Sequence, residues 1–286
     1  MELGAVFPQT EIGSDPASVK DFAQGIESLG LSHLLIYDHV LGAHPDRFDR
    51  EVPYNKDSLF HEPFVVFGYL AAVTSSIELV TGVIILPQRQ TALVAKQAAE
   101  VDILSGGRLR LGVGTGWNHV EYEALNENFH DRGKRQEEQV ALMRALWDEE
   151  LLDFEGAWHR VHRAGINPRP GRAIPIWFGG GHPALVERAA RIGDGWMPQV
   201  SASQAAEAVS NILDKREAAG HSRDGFGIEA HARIAGGDPD RWTTHAAAWR
   251  DAGATHMVVN TMSADLDSVD AHLRAVEAWK SAAESA

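Results

Sequence analysis

His39 is the residue of this chain best suited to move a proton in a reaction. It follows Asp38, directly after the apolar run from His33 to Tyr37. A neutral imidazole donates at one nitrogen and accepts at the other, and its ordinary pKa of about 6.5 suits acid–base work near neutral pH. Two interpretations stay open. His39 acts as a general acid or base, or contacts a cofactor; or it is a packed histidine whose ring Asp38 holds.

The segment from Arg108 to Asn118 reads RLRLGVGTGWN and forms a second group of candidates. Its alternating apolar residues predict a strand, and glycines at every second position of its end let a backbone approach a ligand closely. The spacing is not that of the dinucleotide-binding fingerprint. The segment predicts either a tight turn or a ligand cradle, with Gly114, Thr115, Gly116, Trp117 and Asn118 as candidate contacts.

Three consecutive glycines, from Gly179 to Gly181, precede His182 and Pro183 at the expected start of a helix. Free backbone N–H groups and the positive end of the helix dipole attract an anion at such a place. His182 is a candidate for an additional side-chain donor. The segment predicts a site for a phosphate or another anion; the alternative is a tight turn that needs small residues.

Glu229, His231 and Arg233 alternate with apolar residues, so they share one face of a predicted strand. They either line a substrate pocket or form a polar layer whose hydrogen bonds are satisfied within the protein. A metal site built from His61, Glu62 and His231 would lack any metal-ligand spacing. No metal site is therefore expected.

The composition excludes several classes of function. The chain has 286 residues, of which 44% are apolar, and a formal net charge of −14, which does not suit a nucleic-acid or anionic-membrane surface. The absence of cysteine excludes disulfides and thiolate chemistry. No secretory signal is visible, and the longest apolar run, Leu79 to Pro87, is too short to span a bilayer. A cytoplasmic protein is expected.

Eight strand-like runs, each followed by a helical segment, must position these residues. Strand–helix alternation predicts a parallel sheet, and eight units predict an α/β fold of the (β/α)₈ TIM barrel type, with an open doubly wound sheet as the rival. No linker divides the chain, so residues 1–286 are expected to form a single domain with extended βα loops. A hairpin is expected at 152–154 and 158–161. The strands are expected at 3–7, 33–37, 77–86, 109–113, 174–178, 193–198, 227–234 and 256–260.

In a barrel of this kind the active site lies at the carboxyl ends of the strands. Asp38 and His39 end the second predicted strand, and the glycines of the Arg108–Asn118 segment end the fourth. The three glycines before His182 end the fifth, and Gly82 lies within the third. Polar residues and glycines from separate strands are therefore expected to meet at one rim.

Four segments in this order resemble the luciferase-like flavin and deazaflavin oxidoreductases. The resemblance implies a barrel, usually dimeric, that binds FMN or coenzyme F420 at the rim and acts on a small molecule. It places the cofactor phosphate near Gly179–His182, the tricyclic ring beside a cis Gly82–Val83 bond, and Asp38 with His39 near the redox carbon. The segments are Tyr37–His39, Leu79–Pro87, Arg108–Asn118 with Glu121, and Ile174–Gly181 followed by Gly193–Trp196.

The sequence differs from the sugar-phosphate dehydrogenases of that family at two places. Trp117 stands where they carry a glutamate proton donor, and their tryptophan shortly after the histidine is absent. Sugar-phosphate oxidation is therefore not expected. By the resemblance, His39 is the expected catalytic residue, and the expected cofactor contacts are Asp38, His39, Thr81, Gly82, Val83, Gly114, Thr115, Gly116, Trp117, Asn118, Gly179, Gly180, Gly181 and His182.

The expected function is that of an F420-dependent oxidoreductase, which moves a hydride between the deazaflavin and a small organic substrate that the sequence does not identify. A homodimer is expected. One alternative is an FMN-dependent monooxygenase supplied by a separate flavin reductase. A second alternative is a barrel that binds flavin or deazaflavin without catalysis.

Overall fold

Eight parallel strands close into a barrel in the computed structural model, which describes all 286 residues. The strands in chain order are β1 (Glu2–Val6), β2 (His33–Ile36), β3 (Glu78–Thr81), β4 (Ile84–Ile85), β5 (Leu109–Gly114), β6 (Leu152–Glu155), β7 (Arg160–Ala164), β8 (Ile176–Gly179), β9 (Gly195–Met197), β10 (Gly227–Arg233) and β11 (His256–Asn260). Around the barrel the order is β1, β2, β3, β5, β8, β9, β10 and β11, and β11 pairs with β1. The TIM barrel is confirmed, and the open doubly wound sheet is wrong.

Nine α-helices surround the barrel strands. Four of them begin with a proline that follows a side-chain cap, at Asp15, Glu62, His182 and Asp238. Proline suits the first helical position because its missing N–H has no partner there. The helices are α1 (Pro16–Ser28), α2 (Pro63–Val73), α3 (Thr91–Ser105), α4 (His119–Ala124), α5 (Arg132–Asp148), α6 (Pro183–Ile192), α7 (Ala205–Ala218), α8 (Pro239–Asp251) and α9 (Val269–Glu284).

The expected hairpin is present between α5 and β8. Strands β6 and β7 pair antiparallel, with Phe154 opposite Val161, and the second strand extends further than expected, to Ala164. This hairpin is not part of the barrel sheet, so it adds no strand to the wall.

The third barrel strand is interrupted by one extra residue. Val80 lies opposite Arg110 of β5, and Ile84 lies opposite Val113, so four residues advance on one side against three on the other. This is a β-bulge, which separates β3 from its continuation β4. The single strand expected at 77–86 is therefore two shorter ones, and the bulge falls at the expected Gly82.

Two hydrophobic clusters divide the apolar side chains. The larger contains 57 buried residues between the barrel wall and the helices. The smaller fills the middle of the barrel lumen and is formed by Val6, Leu35, Val80, Trp177, Met197, Val258 and Met262. Because the lumen is packed at mid-height, ligands can approach only its two ends.

Candidate functional site

The carboxyl ends of the barrel strands form an opening that we call the mouth. His39 lies here, three residues after the end of β2, and its ring is 12% exposed. The ring packs against Phe60 with centroids 4.7 Å apart, against Tyr54 at 5.4 Å and against Trp117 at 5.7 Å. These aromatic contacts fix the plane of the imidazole at the mouth.

The partner of the His39 ring is Glu121. Nδ1 of His39 donates to Oε1 of Glu121 at 3.0 Å, and Nε2 has no hydrogen-bond partner in the protein. A histidine that donates from Nδ1 carries its free lone pair on Nε2 when it is neutral. The mouth therefore contains one imidazole nitrogen that can accept or return a proton.

Glu121 is held by several donors. Its side chain is 1% exposed, and Oε1 also accepts from the backbone N–H of Val40 at 3.1 Å. Gln88 Nε2 donates to Oε2 at 3.1 Å. Glu121 lies in the first turn of α4, where Asn118 caps the helix by accepting from the Val120 N–H. Asn118 thus acts on His39 through the helix that carries Glu121.

Asp38 does not hold the His39 ring, and that interpretation is wrong. Its carboxylate accepts from the Ile85 N–H at 3.0 Å and from Nη2 of Arg89 at 2.8 Å, and Arg89 also pairs with Glu62. Burial raises the pKa of Asp38, and the Arg89 guanidinium opposes that shift. Neighbours in an extended segment point to opposite sides, so Asp38 faces away from its neighbour's ring and anchors the β4 bulge instead.

The bulge presents Val83 to two glycines of neighbouring strands. The Gly82–Val83 peptide bond is cis, as the resemblance implies. A Cβ at Gly114 would lie 2.4 Å from Val83 Cγ2, and a Cβ at Gly179 would lie 2.6 Å from Val83 Cγ1. Thr81 Oγ1 donates to the Gly112 carbonyl at 2.7 Å and fixes the strand before the bulge. Gly114 and Gly179 therefore have no room for a side chain, because Val83 occupies the space between the strand ends.

The turn after β5 carries Trp117 over the mouth. Gly116 has a φ of +65°, a conformation that glycine adopts without strain, and the Thr115 carbonyl accepts from the Tyr122 hydroxyl at 2.7 Å. Trp117 packs against Phe48 at 5.4 Å as well as against His39. An aromatic side chain at this position cannot replace a carboxyl group as a proton donor.

The glycines after β8 leave two donors free. Gly180 has a φ of +133°, and its N–H donates to the Met197 carbonyl at 3.1 Å. The N–H groups of Gly181 and His182 donate to no acceptor of the protein. Nδ1 of His182 accepts from the Ala184 N–H, so a neutral ring carries its proton on Nε2. Together these groups could bind an anion at the start of α6.

Glu229, His231 and Arg233 share one face of β10, and the first and last of them lie at opposite ends of the lumen. Glu229 is fully buried at the amino end, where Oε1 lies 2.6 Å from His33 Nε2 and Oε2 accepts from Arg110 at 2.9 Å. Burial alone would raise the pKa of Glu229, but Arg110 and His33 hold it well below its ordinary range. Glu229 therefore belongs to a buried polar layer in which Nη2 of Arg110 has no hydrogen-bond partner, and Arg233 lies exposed at the mouth.

His61, Glu62 and His231 do not come together. The His61 ring lies near the Gly13 carbonyl, and Glu62 caps α2 by accepting from the Val65 N–H. No group of three or more His, Asp or Glu side chains is arranged to hold a metal ion. No helix has both the length and the apolar character needed to cross a bilayer.

Several residues that shape the mouth could not be recognised from sequence patterns. Glu121 was named only beside the Arg108–Asn118 segment. The fold shows that α4 brings it to His39, which lies 82 positions earlier in the chain. The aromatic partners Tyr54 and Phe60 come from the β2–α2 loop, which has no recognisable pattern. Arg89 could have been suspected because a charged residue between two apolar segments usually needs a partner.

Three relatives show what this chain is similar to in sequence. A protein of Mycobacterium tuberculosis with no assigned function is 30% identical over 95% of this chain and 96% of its own. An F420-dependent glucose-6-phosphate dehydrogenase of Kineococcus radiotolerans is 33% identical over 64% of this chain and 52% of its own. An FMNH₂-dependent dimethylsulfone monooxygenase of Pseudomonas fluorescens is 29% identical over 59% and 47%. This chain therefore spans about half the length of the two relatives with named activities.

The solved structures share the fold. A monooxygenase from Streptomyces bottropensis superposes with a TM-score of 0.79 at 21% identity, covering 98% of both chains. The family described as luciferase-like monooxygenase matches residues 1–285 of this sequence. The barrel, the order of the motifs and this match agree: the chain belongs to the luciferase-like monooxygenase family.

Proposed function

We propose that the protein is an F420-dependent oxidoreductase that exchanges a hydride with a small organic substrate. The observation that carries the proposal is the His39–Glu121 pair, which leaves one imidazole nitrogen free at the mouth. Oxidation of an alcohol or reduction of a carbonyl needs a proton carrier beside the hydride carrier. The resemblance of the strand-end motifs to the deazaflavin branch, and the similarity to the Kineococcus enzyme, support the choice of coenzyme.

The donors at the mouth fit the anionic end of such a coenzyme. The free N–H groups of Gly181 and His182 are suited to hold its phosphate, and Nε2 of His182 adds a side-chain donor. The ring would lie along the bulge between β3 and β4. In this proposal Asp38 and Asn118 belong to the coenzyme site through the neighbours that they hold. The direct contacts are His39, Thr81, Gly82, Val83, Gly114, Thr115, Gly116, Trp117, Gly179, Gly180, Gly181 and His182.

His39 is the proposed catalytic residue. When bound, the deazaflavin supplies the group that takes up or gives the hydride. Nε2 of His39 binds the reacting oxygen of the substrate and takes up or returns its proton. Glu121 orients the ring through Nδ1 and stabilises it when Nε2 is protonated. Tyr54, Phe60 and Trp117 exclude water from the imidazole.

An FMN-dependent monooxygenase is the second candidate, because the same backbone donors suit the FMN phosphate and the Pseudomonas relative uses reduced FMN. Fluorescence titration of the purified protein with F420 and with FMN separates the two. We expect saturable F420 binding that is at least tenfold tighter than FMN binding, a difference of about 1.4 kcal/mol. Tight binding of FMN with none of F420 would contradict the proposal. Turnover with any substrate would exclude the non-catalytic barrel.

We also infer that the protein is a homodimer. Helix α2 reads PFVVFGYLAAV and is apolar on all sides, yet its Val65 side chain is 70% exposed. On the neighbouring helix α3, Leu104 is 64% exposed and Leu93 is 51% exposed. A helix that is apolar all round is normally buried. Analytical ultracentrifugation should give twice the chain mass, and Val65→Glu should lower it. The single domain over residues 1–286 and the cytoplasmic location stay predictions.

A further inference from the structure

Arg233 points into the barrel opening from the last residue of β10. Ile228, Ala230 and Ala232 of this strand belong to the cluster between the wall and the helices. Alternation along the strand therefore directs Glu229, His231 and Arg233 toward the lumen. Arg233 is the uppermost of the three, so its guanidinium lies at the mouth.

The polar groups around Arg233 include Asn260 and Tyr54, and the carboxylate of Glu11 also acts on Tyr54. Arg233 pairs in register with Asn260, whose Nδ2 donates to the Tyr37 hydroxyl at 3.3 Å. Burial raises the pKa of Tyr54, and the charge of Arg233 opposes that shift, so the guanidinium acts on this phenol. Tyr54 in turn packs against His39. Arg233 therefore faces the same space as the proposed catalytic imidazole.

No carboxylate neutralises Arg233. It makes no salt bridge within 4.0 Å and no hydrogen bond, whereas Arg110 and Arg89 each contact two carboxylates. The chain has 40 acidic against 26 basic residues, so acidic partners are in excess. A free guanidinium that faces a ligand opening is suited to bind an anionic oxygen group with two parallel hydrogen bonds.

Arg233 also lies on the half of the mouth that the proposed coenzyme does not use. The bulge, Trp117 and the phosphate donors belong to β3, β5 and β8, which are consecutive around the barrel. Strand β10 lies in the other half, with β11 and β1, while β2, which leads to His39, lies beside β3 at the boundary. Between the halves are His39, Tyr54 and Phe60, which offer aromatic surface.

We propose that Arg233 binds the anionic group of the substrate, so the substrate is a small apolar or aromatic molecule that carries a carboxylate or phosphate. The proposal rests on the proposed function for the coenzyme half of the mouth. His39 would contact the reacting oxygen while Arg233 holds the other end. Arg233 is then the residue that selects charged over neutral substrates.

The test compares benzoate, phenyl phosphate and neutral benzamide as probes. Their dissociation constants are measured by calorimetry on the wild type, Arg233→Gln, Arg233→Lys and Arg274→Gln, each with and without F420. Arg274 is a matched control, since it is an exposed arginine without a carboxylate partner, on α9 and away from the mouth. F420 affinity is measured on the same four proteins.

We expect the wild type to bind one of the two anions roughly tenfold or more tightly than benzamide, because hydrogen bonds to charged groups are worth more than neutral ones. Arg233→Gln should remove that preference, Arg233→Lys should keep part of it, and Arg274→Gln should keep all of it. Whichever anion binds more tightly identifies the group. F420 affinity should stay within a few-fold in all four proteins.

Equal binding of anions and benzamide, or equal loss of preference in Arg233→Gln and Arg274→Gln, would overturn the inference. So would a large loss of F420 affinity in Arg233→Gln, because Arg233 would then belong to the coenzyme site. An anion preference without F420 binding would support Arg233 and contradict the proposed function. F420 binding without an anion preference would do the reverse.

Discussion

Two histidine–glutamate pairs lie at opposite ends of the barrel lumen. At the amino end, His33 lies 2.6 Å from Glu229 through Nε2 and 2.8 Å from the Ser32 hydroxyl through Nδ1, and both members of the pair are fully buried. At the mouth, His39 contacts Glu121 through Nδ1, and its Nε2 has no partner. The residue types are the same, and the difference lies in one unused nitrogen.

This difference separates a structural group from a reactive one. Both ring nitrogens of His33 and both carboxylate oxygens of Glu229 have partners within the protein, since Arg110 donates to the second oxygen of Glu229. The Arg110 guanidinium in turn packs 4.2 Å from the Trp177 ring. At the mouth, Nε2 of His39 and the N–H groups of Gly181 and His182 have no partner within the protein. Substitutions at the amino end should therefore change stability, and those at the mouth should change binding or rate.

The largest effect is expected for His39→Ala, which removes the free nitrogen. Loss of an acid–base group commonly lowers the rate by roughly 10²–10⁴, and we expect a loss of that order in turnover. F420 affinity should stay within an order of magnitude. Turnover is measured with any alcohol or carbonyl compound that reacts in a substrate screen. If turnover per folded molecule is normal while the thermal midpoint falls, His39 is only a packed residue.

Glu229→Gln should break the other pair and lower stability rather than rate. It leaves the Arg110 guanidinium in a buried layer with only Glu78 as partner. Removing one member of a buried ion pair typically costs about 3–5 kcal/mol. Urea unfolding should show that loss in the free energy of unfolding. The surviving folded fraction should bind F420 as the wild type does; a selective loss of binding would place Glu229 in the ligand site.

Glu121→Gln tests the mouth pair with the same chemical change. The amide keeps the size of the side chain but no longer stabilises a protonated ring, so turnover should fall by roughly tenfold or more, which is about 1.4 kcal/mol of transition-state stabilisation. The effect should be smaller than that of His39→Ala, because the free nitrogen remains. The shape of the pH–rate profile should change as well. A lower thermal midpoint with an unchanged profile would mean that Glu121 only supports the β2–α2 loop.

Sequence patterns predicted the barrel and the place of His39 for a physical reason. Strand–helix alternation fixes a parallel sheet, and the end of a parallel strand fixes the rim. They could not predict the partner of His39, because Glu121 arrives through the packing of a short helix. The position of Asp38 next to His39 in the sequence wrongly suggested that Asp38 holds the His39 ring, since neighbouring side chains in an extended segment point to opposite sides. His33 and Arg110 were missed because a polar layer shows only when the strands are in register.

The amino-end layer should also make the protein labile in acid. His256, the first residue of β11, belongs to this layer, since its ring lies 5.7 Å from that of His33. Burial, with the charges of Arg110 and His33, lowers the pKa of His256 to about 3, while an unfolded histidine titrates at about 6.5. The unfolded chain then binds more protons in this range, so stability is full above pH ~6.5 and falls as the pH drops toward the folded-state pKa. Thermal midpoints between pH 7 and 4 should show this slope. His256→Gln should flatten it, and the surface variant His221→Gln should not.

The smallest effect is expected where the mouth has room for a methyl group. A Cβ at Gly181 would lie 3.4 Å from the Gln199 carbonyl oxygen, an ordinary contact, whereas a Cβ at Gly179 would lie 2.6 Å from Val83. Gly181→Ala should change the free energy of unfolding by less than about 0.5 kcal/mol. It should weaken F420 binding by a few-fold, because the methyl group crowds an anion held by the adjacent N–H groups.

Gly179→Ala is the matched comparison on the same loop. It should lower stability by about 1–3 kcal/mol, because Val83 must move and overpacked interiors lose that much. Gly179→Val should weaken F420 binding through the same displacement of the bulge. Urea unfolding and F420 titration of both alanine variants separate the two effects. If Gly181→Ala leaves F420 affinity unchanged while Gly179→Ala lowers it, the loop acts only by supporting Val83, and the phosphate binds elsewhere.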